Sequence, residues 1–406
     1  MIISPLVIVL WTDCAMAQDV LHALALGSVD STQSPMPNWL SADPAFEVSL
    51  VPTRMYDVEA ITPDEARRML RLYFPRTDKV MASYDIVIFS GGDVRYFLPE
   101  KIAMIVRAVH SGAAAVADMG GMSVPLHPDW IASGIWEVFP NDVMAVKALW
   151  DSGLPTEQPF HIVVNRDLTS NPLLPFLALG IERLVGGRAR TICPQPGSTV
   201  YAWTEAESLS GWTMGYRPAA AVIWSYGEGR GLALEAYFGH SWWSSYVDPT
   251  QNQYGQDILI NYLLDAAGRP YATDIELLHS VRQSFADFQN RISFLRELLD
   301  FVEMFGAKTD SLLEDLEGAE STFASAHAMY LEGDFEGALG ASDRAYSQLV
   351  ETGEKAMRLK DRALQWIYLI EWLAVAGTLM VGGLALDQLM IRRRLYRRAS
   401  TTRLGA

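Results

Sequence analysis

An apolar segment near the C-terminus limits what this chain can fold into. From Trp366 to Ile391 the sequence reads WIYLIEWLAVAGTLMVGGLALDQLMI, and Glu371 is the only charged residue before Asp387. A helix over the first part of this segment, about 21 residues long, would span about 31 Å, which matches the hydrocarbon thickness of a bilayer. We therefore predict a transmembrane helix over 364–391. The alternative is a helix buried in a protein core.

The flanks of this segment differ in charge, which bears on its orientation. The tail 392–406 contains six arginines and no acidic residue, whereas basic and acidic residues are mixed on the other flank. Because cytoplasmic flanks are enriched in Lys and Arg, we predict a cytoplasmic C-tail and a soluble body outside the cell. Gly377, Gly382 and Gly383 form a small-residue face, which favours a homo-oligomer or another membrane protein as partner in the bilayer.

The N-terminus allows two interpretations. MIISPLVIVLW, followed by Ala15-Met16-Ala17, has the apolar run and the small residues of an export signal, which an outside location requires. However, no basic residue precedes the run, and Pro5 interrupts it. We favour a buried first strand over 5–11, because the domain that follows needs such a strand.

Composition excludes one class of partner. The 406 residues carry a net charge of −16, although the C-terminal tail is basic, so the rest of the chain is strongly acidic. An acidic surface repels phosphates, and we predict no nucleic acid partner. Cys14 and Cys193 are too few for a disulfide framework. We predict neither a bound cofactor nor a dedicated metal centre.

Residues 1–270 alternate between β-branched runs and helical patterns, which predicts an α/β domain. Several runs are apolar throughout, as expected for a doubly wound, mostly parallel, flavodoxin-like sheet that is covered on both faces. Helices are predicted to begin at Thr62-Pro63 and at Pro99, and Gly112 is predicted to end the second. The predicted strands are 5–11, 46–52, 85–91, 113–120, 161–165, 219–226 and 231–238, with a hairpin turn at 227–230.

Ligands of such sheets bind beyond the carboxyl ends of the strands, so the residues there form the candidate binding site. If Asp13, Asp118 and His240 converge there, they can hold a divalent metal or act as acid and base. In the competing interpretation, Asp118 hydrogen-bonds the backbone of its turn, and the site binds without chemistry. The candidate set is Trp11, Thr12, Asp13, Gly91, Gly92, Asp93, Asp118, Gly120, Gly121, Met122, His240 and Trp242.

Two stretches resemble a known family. Residues 84–121, YDIVIFSGGDVRYFLPEKIAMIVRAVHSGAAAVADMGG, contain a strand, a turn, a helix with a glycine cap and a strand ending in Gly-Gly. Residues 226–243, YGEGRGLALEAYFGHSWW, contain a G-x-G-R turn, a strand and Gly-His. In this order they resemble the class I glutamine amidotransferase-like fold, in particular its divergent, trehalose-utilisation-type branch. The resemblance covers residues 5–270.

The sequence departs from this family where catalysis would occur. Glutamine hydrolysis requires a cysteine on the turn after the fourth strand, but the turn 118–122 contains none. His240 matches the family's histidine, whereas Trp242 stands where the resemblance implies an orienting acid. We therefore predict a membrane-anchored, non-catalytic binding or scaffold protein. The alternative is a metal-dependent or acid/base hydrolase that acts on a carbohydrate-like small substrate.

The aromatic segment 239–246 also allows two interpretations. Exposed indole faces can stack on sugar rings, which would suit a carbohydrate-like substrate. Trp242 and Trp243 can instead fill the seam between the sheet and a predicted helix at 254–267. We favour the second interpretation, because Trp is a large core residue.

Beyond residue 270 the pattern becomes helical. Apolar residues recur every three or four positions from Ile275 to Phe305, which predicts a helix of about thirty residues with a heptad-like stripe. Further helical patterns follow a break at 306–308. We predict a helical hairpin or coiled-coil stalk over 271–363, whose stripe pairs within the chain or with a second copy.

Overall fold

The computed structural model describes most of the chain, with gaps. The described residues are 19–27, 29, 34–53, 62–91, 96–118, 133–142, 145, 159–186, 192–206, 217–236, 238, 242–243, 252–304 and 307–401. The chain divides into two compact units. The first combines Met1–Gln283 with Ala326–Leu339, and the second combines Ser284–Ser325 with Gly340–Ala406.

The described residues form eight strands and eight α-helices. The strands are β1 (Leu21–Gly27), β2 (Phe46–Pro52), β3 (Ile86–Ser90), β4 (Ala114–Asp118), β5 (His161–Val164), β6 (Thr199–Glu205), β7 (Ala219–Tyr226) and β8 (Gly229–Leu234). The helices are α1 (Met36–Ala42), α2 (Pro63–Tyr73), α3 (Asp78–Met81), α4 (Pro99–His110), α5 (Gly255–Ala266), α6 (Ile275–Met304), α7 (Asp310–Leu331) and α8 (Phe335–Thr401). Short 3₁₀ helices lie at Ile135–Val138, Leu174–Phe176 and Ile181–Arg183.

All eight strands belong to one mixed sheet of order β2-β1-β3-β4-β8-β7-β6-β5. The pairings from β2 to β8 are parallel, and those from β8 to β5 are antiparallel. The predicted α/β class is confirmed, and the order 2-1-3-4 is that of flavodoxin-like sheets. The carboxyl ends of β1, β3, β4 and β8 therefore share one edge, where the predicted site should lie.

Two strands were not predicted. The first described strand is Leu21–Gly27, and the predicted strand at 5–11 lies outside the described residues. The sequence of β1, LHALALG, consists mainly of Leu and Ala, which favour helices in isolation. It is extended here because it pairs with β2 on one side and β3 on the other. The strand β6 was also missed, and the predicted strand 231–238 is shifted, since β8 ends at Leu234.

Helices cover the sheet, and their predicted boundaries are largely confirmed. Thr62 caps α2 in a capping box with Glu65, and α4 begins at Pro99. Buried residues of α4 join a core cluster with alternate residues of β3 and β4, such as Phe89 and Ala117. Helix α5 lies outside this cluster and contacts β4 and β8. The predicted hairpin between β7 and β8 is confirmed, although its turn is residues 227–228, since Gly229 and Arg230 already pair in β8.

A close backbone approach on β8 leads to a stability prediction. A Cβ added at Gly231 would lie 1.8 Å from the carbonyl oxygen of Val138, which accepts a hydrogen bond from Trp224 Nε1. We expect Gly231→Ala to lower the free energy of unfolding by about 1–3 kcal/mol or more, because the backbone must shift. Gly318→Ala in α7 is the control: nothing lies within 4 Å, and we expect a gain of about 0.5–1 kcal/mol. Denaturant melts of both variants measure the difference, and equal midpoints would contradict the predicted clash.

The second unit contains parts of α6, α7 and α8. The ring of Phe323 in α7 stacks on Phe288 of α6 at 3.8 Å, and Ser284 of α6 lies 2.7 Å from Ser342 of α8 between the hydroxyl oxygens. Among the described residues, α8 is the helix that is long and apolar enough to cross a membrane, and none of its apolar window is buried within the protein.

Candidate functional site

Asp118 connects three chain segments at the carboxyl edge of the sheet. It ends β4, pairs in register with Ser90 at the end of β3, and is fully buried. Its Oδ1 accepts a hydrogen bond from the Gly91 N–H at 2.8 Å. Its Oδ2 accepts from Ser90 Oγ at 3.0 Å and from the Phe238 N–H at 3.3 Å. Both carboxylate oxygens of Asp118 are therefore engaged in holding the turns after β3 and β8.

The structure places three of the predicted site residues. Gly91 and Asp118 are joined by a hydrogen bond, and Trp242 is 4% exposed near the same edge. The other predicted residues lie outside the described part of the chain: Trp11, Thr12, Asp13, Gly92, Asp93, Gly120, Gly121, Met122 and His240. The convergence of Asp13, Asp118 and His240 therefore stays a prediction.

The two adjacent indoles are core residues, as we favoured. Trp243 is 1% exposed, and its Nε1 donates to the carbonyl oxygen of Ala236 at 3.0 Å. The Trp242 ring meets that of Trp243 edge-on at 4.8 Å, and Trp243 in turn packs against Phe238 at 5.4 Å. Because both rings are buried, neither presents an open face on which a sugar ring could stack.

Glu235 is a buried carboxyl that the sequence analysis missed. It follows β8 directly and is 1% exposed. Its N–H donates to the carbonyl oxygen of Ala220 at 2.8 Å, and its Oε2 accepts a hydrogen bond from Thr204 Oγ1 at 2.5 Å. Its Oε1 has no hydrogen-bond partner among the described residues. A buried polar atom without a partner is unusual and costs stability, so it calls for an explanation.

The Nε1 of Trp242 is a second buried polar atom without a partner in the described structure. Trp242 and Glu235 line the same cavity, whose volume of about 20 Å³ is enough for one water molecule. The residues that line this cavity thus include one with an unpaired acceptor atom and one with an unpaired donor atom. The remaining lining residues are apolar or aromatic: Phe160, Ile162, Ala220, Leu234, Ala236, Trp243 and Tyr262.

The environment of Glu235 changes its acidity. Burial raises the pKa of this carboxyl well above its ordinary value, although the hydrogen bond from Thr204 acts in the opposite direction. The neutral acid is therefore favoured, and the side chain combines a proton with an unpaired oxygen. A perturbed carboxyl in a cavity at the carboxyl edge of an α/β sheet marks a candidate functional site.

This shift predicts a pH dependence of stability. Below the ordinary pKa of Glu, about 4.3, the side chain is protonated in both the folded and the unfolded state, so its ionisation does not destabilise the folded protein. As the pH rises through the folded-state pKa, the unfolded chain ionises first and stability is lost. We expect denaturant melts between about pH 5 and about pH 8 to show a smaller loss for Glu235→Gln than for wild type. Parallel pH profiles would show that Glu235 titrates as an ordinary carboxyl.

Metal ligands are not clustered in the described part of the chain. No group of three or more His, Cys, Asp or Glu side chains is placed there to hold a metal ion. The oxygens of Asp118 are already hydrogen-bonded, and the carboxyl of Glu235 lies among aromatic rings. The described residues at this edge therefore fit a neutral ligand group better than a cation.

Comparisons with known proteins give only distant likenesses. No protein-family model matches the sequence, and no curated protein matches it. Two cytoplasmic proteins from Salmonella typhimurium are 13% and 14% identical over 61% of this chain and 99% of theirs, with TM-scores of 0.41 and 0.42. A β-galactosidase from Bacillus circulans sp. alkalophilus is 14% identical over 62% of this chain and 31% of its own, with a TM-score of 0.30. Likenesses this distant identify neither a family nor an activity.

Proposed function

We propose that this chain is a membrane-anchored binding protein with a non-catalytic, amidotransferase-like α/β domain. One observation carries the proposal: Glu235 and Trp242 line a common cavity, and neither Glu235 Oε1 nor Trp242 Nε1 has a partner in the described structure. Leaving both atoms unpaired costs free energy, about 1–3 kcal/mol for each buried group. A ligand group that pairs with both would recover that cost.

The engagement of Asp118 supports binding over catalysis. A general base needs a lone pair directed at the substrate, but the oxygens of Asp118 accept hydrogen bonds from Gly91, Ser90 and Phe238. The turn 118–122 also lacks the cysteine that glutamine hydrolysis requires. The competing hydrolase would have to rely on residues other than Asp118, and among the described acids at this edge Glu235 is the candidate.

The chemistry of the two atoms selects the ligand class. Indole N–H is a donor only, so it needs an acceptor, while the Oε1 of Glu235 can accept a hydrogen bond. A hydroxyl group satisfies both atoms at once. An ammonium group would leave the Trp242 donor unpaired. We therefore propose a small hydroxylated ligand, a polyol or a neutral sugar, that places one hydroxyl in the cavity; an ordered water is the competing occupant.

Ligand-observed NMR on the full-length protein in nanodiscs tests this proposal. The probes are glycerol, myo-inositol and trehalose, with ethylamine and acetate as charged comparisons. We expect binding of a hydroxylated probe, weakened about tenfold by Trp242→Phe or Glu235→Leu, because each variant loses a hydrogen bond worth about 1.5 kcal/mol. Trp224→Phe is the matched control, since its Nε1 donates to Val138 instead. Binding that neither cavity variant changes would overturn the proposal.

The anchor is the apolar part of α8. Aromatic residues lie at one end of the segment 366–391 and six arginines follow it, so we propose a single-pass helix with a cytoplasmic tail. The soluble body is then outside the cell, and the run at 5–17 is the segment that resembles an export signal. The first described strand begins at Leu21, and residues 5–11 lie outside the described part of the chain.

The anchor also suggests a partner. Gly377, Gly382 and Gly383 have nothing within 4 Å of an added Cβ, so the surface of α8 is open at each of these positions. In lipid, such small-residue faces allow helices to pack closely. We propose self-association of this chain through α8, with a second membrane protein as the competing partner.

A further inference from the structure

Contacts within the second unit define the register of α6 against α8, that is, which residues of the two helices lie side by side. Ser284 lies beside Ser342, and a Cβ at Gly353 would lie 3.3 Å from Arg291 and from Leu295. Paired residue numbers on the two helices therefore differ by about 58 to 62. The difference stays nearly constant along the helices, so α6 and α8 run in the same direction.

This register places the end of α6 next to the start of the apolar segment. Met304, the last residue of α6, is level with about residues 362 to 366 of α8. At 1.5 Å per residue, it is at most about 6 Å short of Trp366 along the helix axis. The headgroup layer on each side of a bilayer is about 5–8 Å thick. Met304 therefore lies at the height of the lipid headgroups if 366–391 spans the membrane.

Two apolar side chains are exposed to solvent at the end of α6. Met304 is 76% exposed, and Phe301, one turn earlier, is 36% exposed. Both residues leave apolar surface in water unless a further surface covers it. Exposed acidic residues lie close by, at Asp300, Glu303 and Asp310, so a strongly anionic lipid is not the expected contact.

We propose that the C-terminal end of α6, here called its tip, inserts the side chains of Met304 and Phe301 into the headgroup layer of the membrane that α8 crosses. The inference rests on the proposed anchoring by α8. The surface that covers the tip is zwitterionic lipid, because the contact is apolar and the exposed residues Asp300, Glu303 and Asp310 beside it are acidic. The second unit is thereby held against the bilayer at two points, so it does not pivot freely on one helix.

Site-specific fluorescence on the full chain tests this contact. A single cysteine is introduced at Met304→Cys, in a protein with Cys14→Ser and Cys193→Ala, and is labelled with the environment-sensitive dye NBD. The protein is placed in phosphatidylcholine nanodiscs, one copy per disc, with nitroxide lipids that quench either near the headgroup or deep in the acyl layer. Phe294→Cys is the matched control: it replaces a 51% exposed apolar residue of the same helix, about 15 Å further from the tip.

We expect NBD at 304 to shift to shorter wavelength and to lose most of its fluorescence to the headgroup nitroxide, while NBD at 294 does neither. A water-like, unquenched signal at 304 would overturn the inference. A blue shift without lipid quenching would also overturn it and would indicate contact with protein. NBD at Leu379→Cys tests the anchoring by α8 separately from the contact at the tip of α6. Quenching at position 379 by the deep nitroxide shows that α8 spans the bilayer, whatever position 304 reports.

Discussion

Replacing Arg282 with methionine is expected to lower the free energy of unfolding by about 3–5 kcal/mol, the cost of breaking a buried ion pair. Arg282 in α6 is 4% exposed. Its Nε donates to Asp43 at 2.7 Å, and one Nη donates to Asp257 in α5 at 2.6 Å. Without the guanidinium, the buried carboxylates of Asp43 and Asp257 lose the cation that they share.

The hydroxyl of Tyr330 completes this buried network. It accepts a hydrogen bond from Arg282 at 3.0 Å and donates to Asp43 at 2.8 Å. His279 adds a contact of 2.8 Å to Asp257. The network joins α1, α5, α6 and α7 within the first compact unit, which therefore includes the beginning of α6 and the end of α7.

A second ion pair supplies the control for Arg282. Arg296 pairs with Glu320, and its side chain is 60% exposed. Exposed pairs contribute about 0–1 kcal/mol, so Arg296→Met should change the free energy of unfolding little. Denaturant melts of the two variants measure the contrast. Equal effects would contradict the conclusion that the buried Arg282 ion pairs contribute more to stability than the exposed Arg296 pair.

The other large effect concerns the membrane. Val375 and Leu379 lie in the exposed apolar part of α8. Arg near the centre of a transmembrane helix costs about 2.5–3.5 kcal/mol on insertion scales. We expect the double variant Val375→Arg with Leu379→Arg to lose carbonate-resistant membrane association.

Leu395→Arg is the matched control for this variant. Leu395 is 60% exposed but lies beyond the apolar segment, among the arginines of the tail. We expect it to leave membrane association unchanged, because an added charge there faces the headgroups. If the double variant remains as resistant to carbonate as Leu395→Arg, α8 does not cross the bilayer.

The sequence predicted those parts of the fold that depend on local pattern. The β-branched runs became β2, β3, β4, β5 and β7, and the proline and capping signals set the starts of α2 and α4. The strand β1 was not predicted, because its Leu and Ala residues are extended only through pairing with β2 and β3. Pairing between distant segments has no signature within a short window of sequence.

The candidate site was predictable to a similar degree. The rule that ligands bind beyond strand ends selected Gly91, Asp118 and Trp242. It did not select Glu235, because the run GLALEAYF predicted a strand through residue 238, whereas β8 ends at Leu234. An acidic residue inside an apolar run was the available signal. The partner of Arg282 could not be read from the sequence either, since Asp43 is 239 residues away.

The indole N–H of Trp242 is the most direct reporter of the proposed binding site. The full-length protein is labelled with ¹⁵N in its 12 tryptophans, and the Trp242 resonance is assigned by its loss in Trp242→Phe. We predict that a hydroxylated probe shifts this resonance downfield, as expected for a new hydrogen bond, and that Glu235→Leu reduces the shift. A Trp242 resonance that no polyol or sugar moves would contradict the account and leave water as the occupant of the cavity.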